Sequence, residues 1–164
     1  MKLKDGGHGV TDKSLEYWRL NRQRIGDVTS VLVTAEPLLV EQASTGNYDV
    51  EYNLKIEGTE GTIFLSGCNC GYGGTGPNGT AKILCELGIP SIAARKAMLG
   101  KKIEYSLSTD TLIIDGEQYS FPMADLRRET MAYDELLYEI DYERARETLE
   151  EMKNARYGDD GEFE

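Results

Sequence analysis

The residues best suited to chemistry in this 164-residue chain gather in one stretch, Gly67 to Thr80, which reads GCNCGYGGTGPNGT. Two overlapping Gly-x-Gly-x-x-Gly runs lie in it, Gly71-Gly73-Gly76 and Gly74-Gly76-Gly79. Glycines at that spacing admit positive φ and let the main chain approach a phosphate, while a following helix offers unbonded N–H groups and a partial positive charge. The expected site is a main-chain anion nest through Gly71, Gly73, Gly74, Gly76 and Gly79, helped by the hydroxyls of Thr75 and Thr80, the amide of Asn78 and the charge of Lys82. Tyr72 stands among residues too small to cover its ring and is expected to stack on a base or sugar. Arg95 and Lys96, one helix further on, and Arg127-Arg128 are basic pairs that would gather around an anion. Gly-Pro and Asn-Gly pairs also mark plain turns, but a mere connection could avoid the entropy that so many glycines cost on ordering, so ligand binding is the favoured reading over simple connection.

Two familiar readings of such spelling do not fit. A dinucleotide fold needs a βαβ unit with parallel strands, whereas the residues before this loop read as an antiparallel hairpin. A P-loop needs a lysine between its last glycine and the hydroxyl residue, and here Gly79 is followed directly by Thr80. Cys68 and Cys70 have Cys-x-Cys spacing, Cys85 lies in the next helix, and the one histidine, His8, is far off in the sequence, so structural zinc is not expected. No ordered histidine is at hand to activate a cysteine, although a helix start lowers a thiol pKa by itself; the thiols are expected to pack as small apolar groups. Asp110 and Asp115 read as turn residues rather than as an acid–base pair. No catalytic residue, metal or cofactor is assigned.

The elements that must position the loop follow from periodicity. Thr11 to Ile25 has three-to-four spacing, with Thr11 or Asp12 as N-cap and Leu15, Tyr17, Trp18 and Leu20 as anchors, and reads as a helix. Val28–Thr34 and Leu38–Gln42 read as strands broken at Pro37, and Tyr48 to Ile56 alternates apolar and polar as one strand with one buried face. A turn near Gly58–Gly61 and a strand Thr62–Ser66 complete a hairpin. After the loop, TAKILCELG and SIAARKAMLG spell two short helices, the second with Ser91 as N-cap, each stopped by glycine. A β-meander with an Asp-Gly turn follows, then a long helix from about Tyr133 to Arg156. The class is α+β: a mainly antiparallel sheet, short helices after the Gly-rich loop and a long C-terminal helix. Residues 1–10 are expected to be loose, 11–157 one domain, and 158–164 a disordered acidic tail.

The net charge of −11 speaks against a surface built to grip nucleic-acid phosphates. No apolar run is long enough to span a membrane, no apolar segment follows the first lysines, and three cysteines make no disulfide framework, so a cytoplasmic protein is expected. Glu143 with Glu147 and Arg146 with Glu150 mark a solvated helix face, while Leu137, Ile140, Leu149 and Met152 form a stripe through which the helix would pack on a copy of itself, making a homo-oligomer.

Small size, acidity, a single dense Gly-Tyr-Gly-Gly-Thr-Gly loop (Gly71–Gly76) and the lack of a catalytic set resemble, as a class, the phage-encoded anti-defence proteins that sequester nucleotide-derived immune signals. The resemblance implies an oligomer that binds a phosphorylated nucleotide-like molecule without changing it. Two other readings stay open: a small enzyme that cleaves or modifies such a ligand through Cys70 or a tail carboxylate, and an acidic interaction module acting as an inhibitor.

Overall fold

The computed structural model describes residues 1–6, 9–71, 74–120 and 132–162, with side chains to Ala155 in the last segment. The chain divides into two compact units, Met1–Met131 and Ala132–Glu164. The fold is α+β with a mostly antiparallel sheet and a long C-terminal helix, as expected.

The first unit is built on a seven-stranded sheet of order β1-β6-β5-β2-β7-β8-β9. Its strands are β1 Lys2–Lys4, β2 Val28–Val33, β5 Leu54–Gly58, β6 Thr62–Leu65, β7 Ile103–Ser106, β8 Thr111–Ile114 and β9 Glu117–Tyr119. Every pairing is antiparallel except β1 with β6. Residues 2–4 are therefore an edge strand rather than loose chain, and Asp5 behind them is buried. A second sheet is the ribbon β3 Leu39–Gln42 with β4 Asp49–Tyr52.

The period-2 run from Tyr48 to Ile56, which reads as one strand, is two. It changes sheets at Asn53, whose Nδ2 donates to the carbonyls of Thr34 at 3.2 Å and Ala35 at 3.0 Å. Before that bend, Val50 and Tyr52 pack with Phe64 in a small core on one face of the large sheet. Beyond it, Leu54 and Ile56 face the other side, where Val31, Val33, Ile63, Leu65, Ile103 and Leu112 form the main core.

Three helices supply the rest of that core: α1 Thr11–Asn21, continued by a 3₁₀ turn Arg22–Ile25, α2 Thr75–Glu86 and α3 Ser91–Met98. Leu15 and Trp18 are buried on α1, but Leu20, expected as an anchor, is 74% exposed, and the N-cap is Val10, not Thr11 or Asp12. Likewise Ser91 is the first residue of α3 and Pro90 precedes it as the cap. Each fully buried Leu, Ile or Val contributes on the order of 1.5–3 kcal/mol, so this layer of helix against sheet dominates the stability of the unit. The β7–β8–β9 meander turns at Asp115-Gly116, where both residues have positive φ (49° and 83°), the backbone of a type I′ hairpin.

The second unit is α4, Tyr133–Glu162, which runs on past Arg156 into the segment expected as a tail. No helix among the described residues is long and apolar enough to cross a membrane.

Candidate functional site

The glycine stretch follows β6, and its last residues form the start of α2. Its first part is tied down by a buried polar cluster that the sequence did not advertise. The Asp5 carboxylate accepts hydrogen bonds from Ser14 Oγ, from the Ser66 amide at 2.8 Å and from Ser66 Oγ at 2.9 Å, and Ser14 Oγ in turn accepts from the Gly67 amide at 2.8 Å. Ser14 is fully buried, so its hydroxyl is a fastener between β1, α1 and the loop rather than a nucleophile open to substrate. Only an acid and two serines in distant segments signalled it, and nothing local pairs them.

Several glycines prove to be packing residues. A Cβ on Gly67 would stand 2.5 Å from the Val10 carbonyl carbon. One on Gly79 would stand 2.4 Å from the Thr11 methyl and 3.2 Å from Cys68 Sγ, and one on Gly76 would stand 2.5 Å from Asn69 Oδ1. Missing side chains at these positions let α1 and the loop lie directly on α2.

The helix begins earlier than its apolar periodicity suggests. Gly76, Pro77, Asn78 and Gly79 belong to the first turns of α2, not to a loop, because the chain enters the helix at Thr75 behind Gly74, whose φ is 84°. This redistributes the expected site. Gly74 and Thr75 are exposed, and no neighbour lies within 4 Å of a Cβ on Gly74. Thr75 Oγ1 accepts from Thr11 Oγ1 at 3.2 Å. The first-turn amides of Thr75 and Gly76 precede the first intrahelical bond, and Pro77 has none to offer.

The remaining candidates part company with that helix start. Thr80 is fully buried and its hydroxyl donates to the Asn69 carbonyl at 2.7 Å, so it is not a ligand group. Gly79 is buried as well, and Asn78 is half-buried. The Gly71 amide donates to the Ala97 carbonyl at 3.0 Å at the end of α3, which removes it from the nest. Lys82 is two turns along α2, roughly 10 Å of helix rise from Thr75, and Arg95 is half-buried on α3. Tyr72, Gly73, His8 and Arg127-Arg128 lie outside the described residues.

Burial sets the state of the thiols. Cys68 is fully buried and its pKa is pushed up to about 12, with the nearby Asp5 carboxylate adding to the effect. Cys85 is pushed up to about 11, mainly by burial and then by Glu86, and Cys70 is raised for the same first reason. All three are protonated at neutral pH and none is a ready thiolate nucleophile. Among the described residues no group of three His, Cys, Asp or Glu side chains could hold a metal ion.

Cys70 also lines a cleft of about 360 Å³, walled by Glu36 and Pro37 from the β2–β3 connection, Gly100 and Lys102 after α3, and Asp115 at the meander turn. Asp115 is held there by the Lys102 amide, which donates to its Oδ1 at 2.7 Å. The chain matches no protein family, no curated protein and no solved structure.

Proposed function

We propose that this protein binds a phosphate-bearing, nucleotide-like small molecule at the start of α2 and holds it without turning it over. The observation that carries the reading is the exposed helix start: Gly74 with positive φ and open space around it, then Thr75 and Gly76, whose amides have no intrahelical partner. The proposed contacts are narrower than the sequence suggested, since Gly71, Gly79 and Thr80 are committed elsewhere. The cleft beside Cys70 adjoins the same loop, and its size suits the uncharged part of such a ligand. Non-catalytic binding is favoured over cleavage through Cys70 by the raised pKa of that thiol. Sequestration of a nucleotide-derived signal, as in the phage anti-defence class that the chain resembles, is the biological role this reading supports.

Thr75→Asp tests it. A carboxylate in the first turn favours the helix dipole by about 0.3–1 kcal/mol, so the fold keeps or gains stability, while the same charge repels an anion at the helix start. Cyclic dinucleotides, linear dinucleotides and ADP-ribose are the probes, read by thermal shift. We expect at least one to raise the melting temperature of the natural chain and to leave the variant unmoved; equal shifts in both would refute the site. Chromatography of the probe after denaturing the complex should return it intact, and a recovered product would refute sequestration.

A further inference from the structure

The exposed apolar residues of α4 do not follow the stripe that its sequence first suggests. Tyr133, Leu136, Leu137 and Ile140 are buried or half-buried, whereas Tyr138, Tyr142, Leu149 and Met152 are 60–74% exposed. With Ala145 they repeat at intervals of four, three, four and three residues, which is the heptad spacing of a coiled-coil seam over about 21 Å of helix. A seam of large apolar side chains turned to water favours a partner, because each such side chain gains by burial.

We propose that this seam pairs with the same seam of a second copy of the chain, in an antiparallel two-helix contact. Charge selects the partner and the direction. The residues flanking the seam are acidic toward its start, Glu139 and Asp141, and basic at its centre, Arg146, and at its end, Lys153. Antiparallel alignment brings Glu139 of each copy beside Lys153 of the other, twice by symmetry, and sets the two helix dipoles head to tail. Tyr142 then meets Met152, and Ala145 meets Leu149, across the dyad. The two Arg146 side chains approach each other at the centre, which opposes the pairing and keeps it reversible. The contact is independent of the ligand site on α2.

Sedimentation velocity of the full chain over a wide concentration range tests the proposal. The mass should rise from 18.3 kDa toward twice that value. The pair Leu149→Glu and Met152→Glu, at exposed helical positions that do not challenge the fold, should hold it at one chain throughout, with an unchanged circular dichroism spectrum. Glu139→Lys alone should weaken association about tenfold, and adding Lys153→Glu should restore it. A natural chain that stays monomeric, a dimer that survives the Leu149 and Met152 changes, or a charge swap that fails to restore pairing would each overturn it.

Discussion

At the scale of single residues, the glycine stretch divides into positions that serve packing and positions that face solvent. Gly67, Gly76 and Gly79 are small because another segment lies where a Cβ would be, and this explains half of the six glycines in the stretch without any ligand. The thiols belong to the same packing. Cys68, with a pKa near 12 in the fold, stays protonated across a range in which an unfolded cysteine, at about 8.5, has ionised. In that window the unfolded chain binds fewer protons than the folded one, so stability falls as pH rises. We expect the thiols' contribution to unfolding free energy to be flat below about pH 8 and to drop by up to roughly 1.4 kcal/mol per pH unit for each buried thiol above pH 9. Denaturant titrations of the natural chain and of Cys68→Ala check this: the variant should show a shallower alkaline slope, and an identical slope would show that Cys68 is not its source.

At the scale of elements, much of the order was legible. The β5–β6 hairpin, the Asp-Gly meander turn and the two glycine-stopped helices each rest on local signals, a turn residue with positive φ or an apolar face with a stop. The Asn53 bend was not legible, because the alternation survives it. Val50 and Tyr52 bury one face in the ribbon core while Leu54 and Ile56 bury one in the main core, so a period of two runs unbroken through a change of sheet. What marks the corner is a polar residue only 7% exposed whose side chain satisfies two carbonyls. Asn53→Leu leaves both carbonyls short of a donor and should cost about 2 kcal/mol, measured by chemical denaturation; Asn53→Asp, which cannot donate when ionised, should not rescue it. A loss below about 0.5 kcal/mol would mean that the bend is held by its main-chain bonds alone.

At the scale of the whole molecule, the main core and the polar cluster around Asp5 lie within the first unit. Residues 1–131 should therefore fold without α4. Trp18, the one tryptophan, is fully buried with Arg22 stacked 4.9 Å from its ring, and reports on that core. We expect the truncated chain to keep a cooperative thermal transition and the blue-shifted emission of a buried indole; a non-cooperative melt would show that α4 is needed for the first unit to fold. Local patterning in the sequence was enough to determine the α+β class and the antiparallel hairpins, since each depends on neighbours a few residues apart. Tertiary structure alone decided that Lys2–Lys4 is a strand, that α2 starts at Thr75, and which glycines, hydroxyls and thiols are consumed by packing. Each of those outcomes depends on a partner tens of residues away, Thr62–Phe64 for β1, Thr11 for Gly79 and Asp5 for Gly67 by way of Ser14, and a contact of that range leaves no period in the chain that makes it.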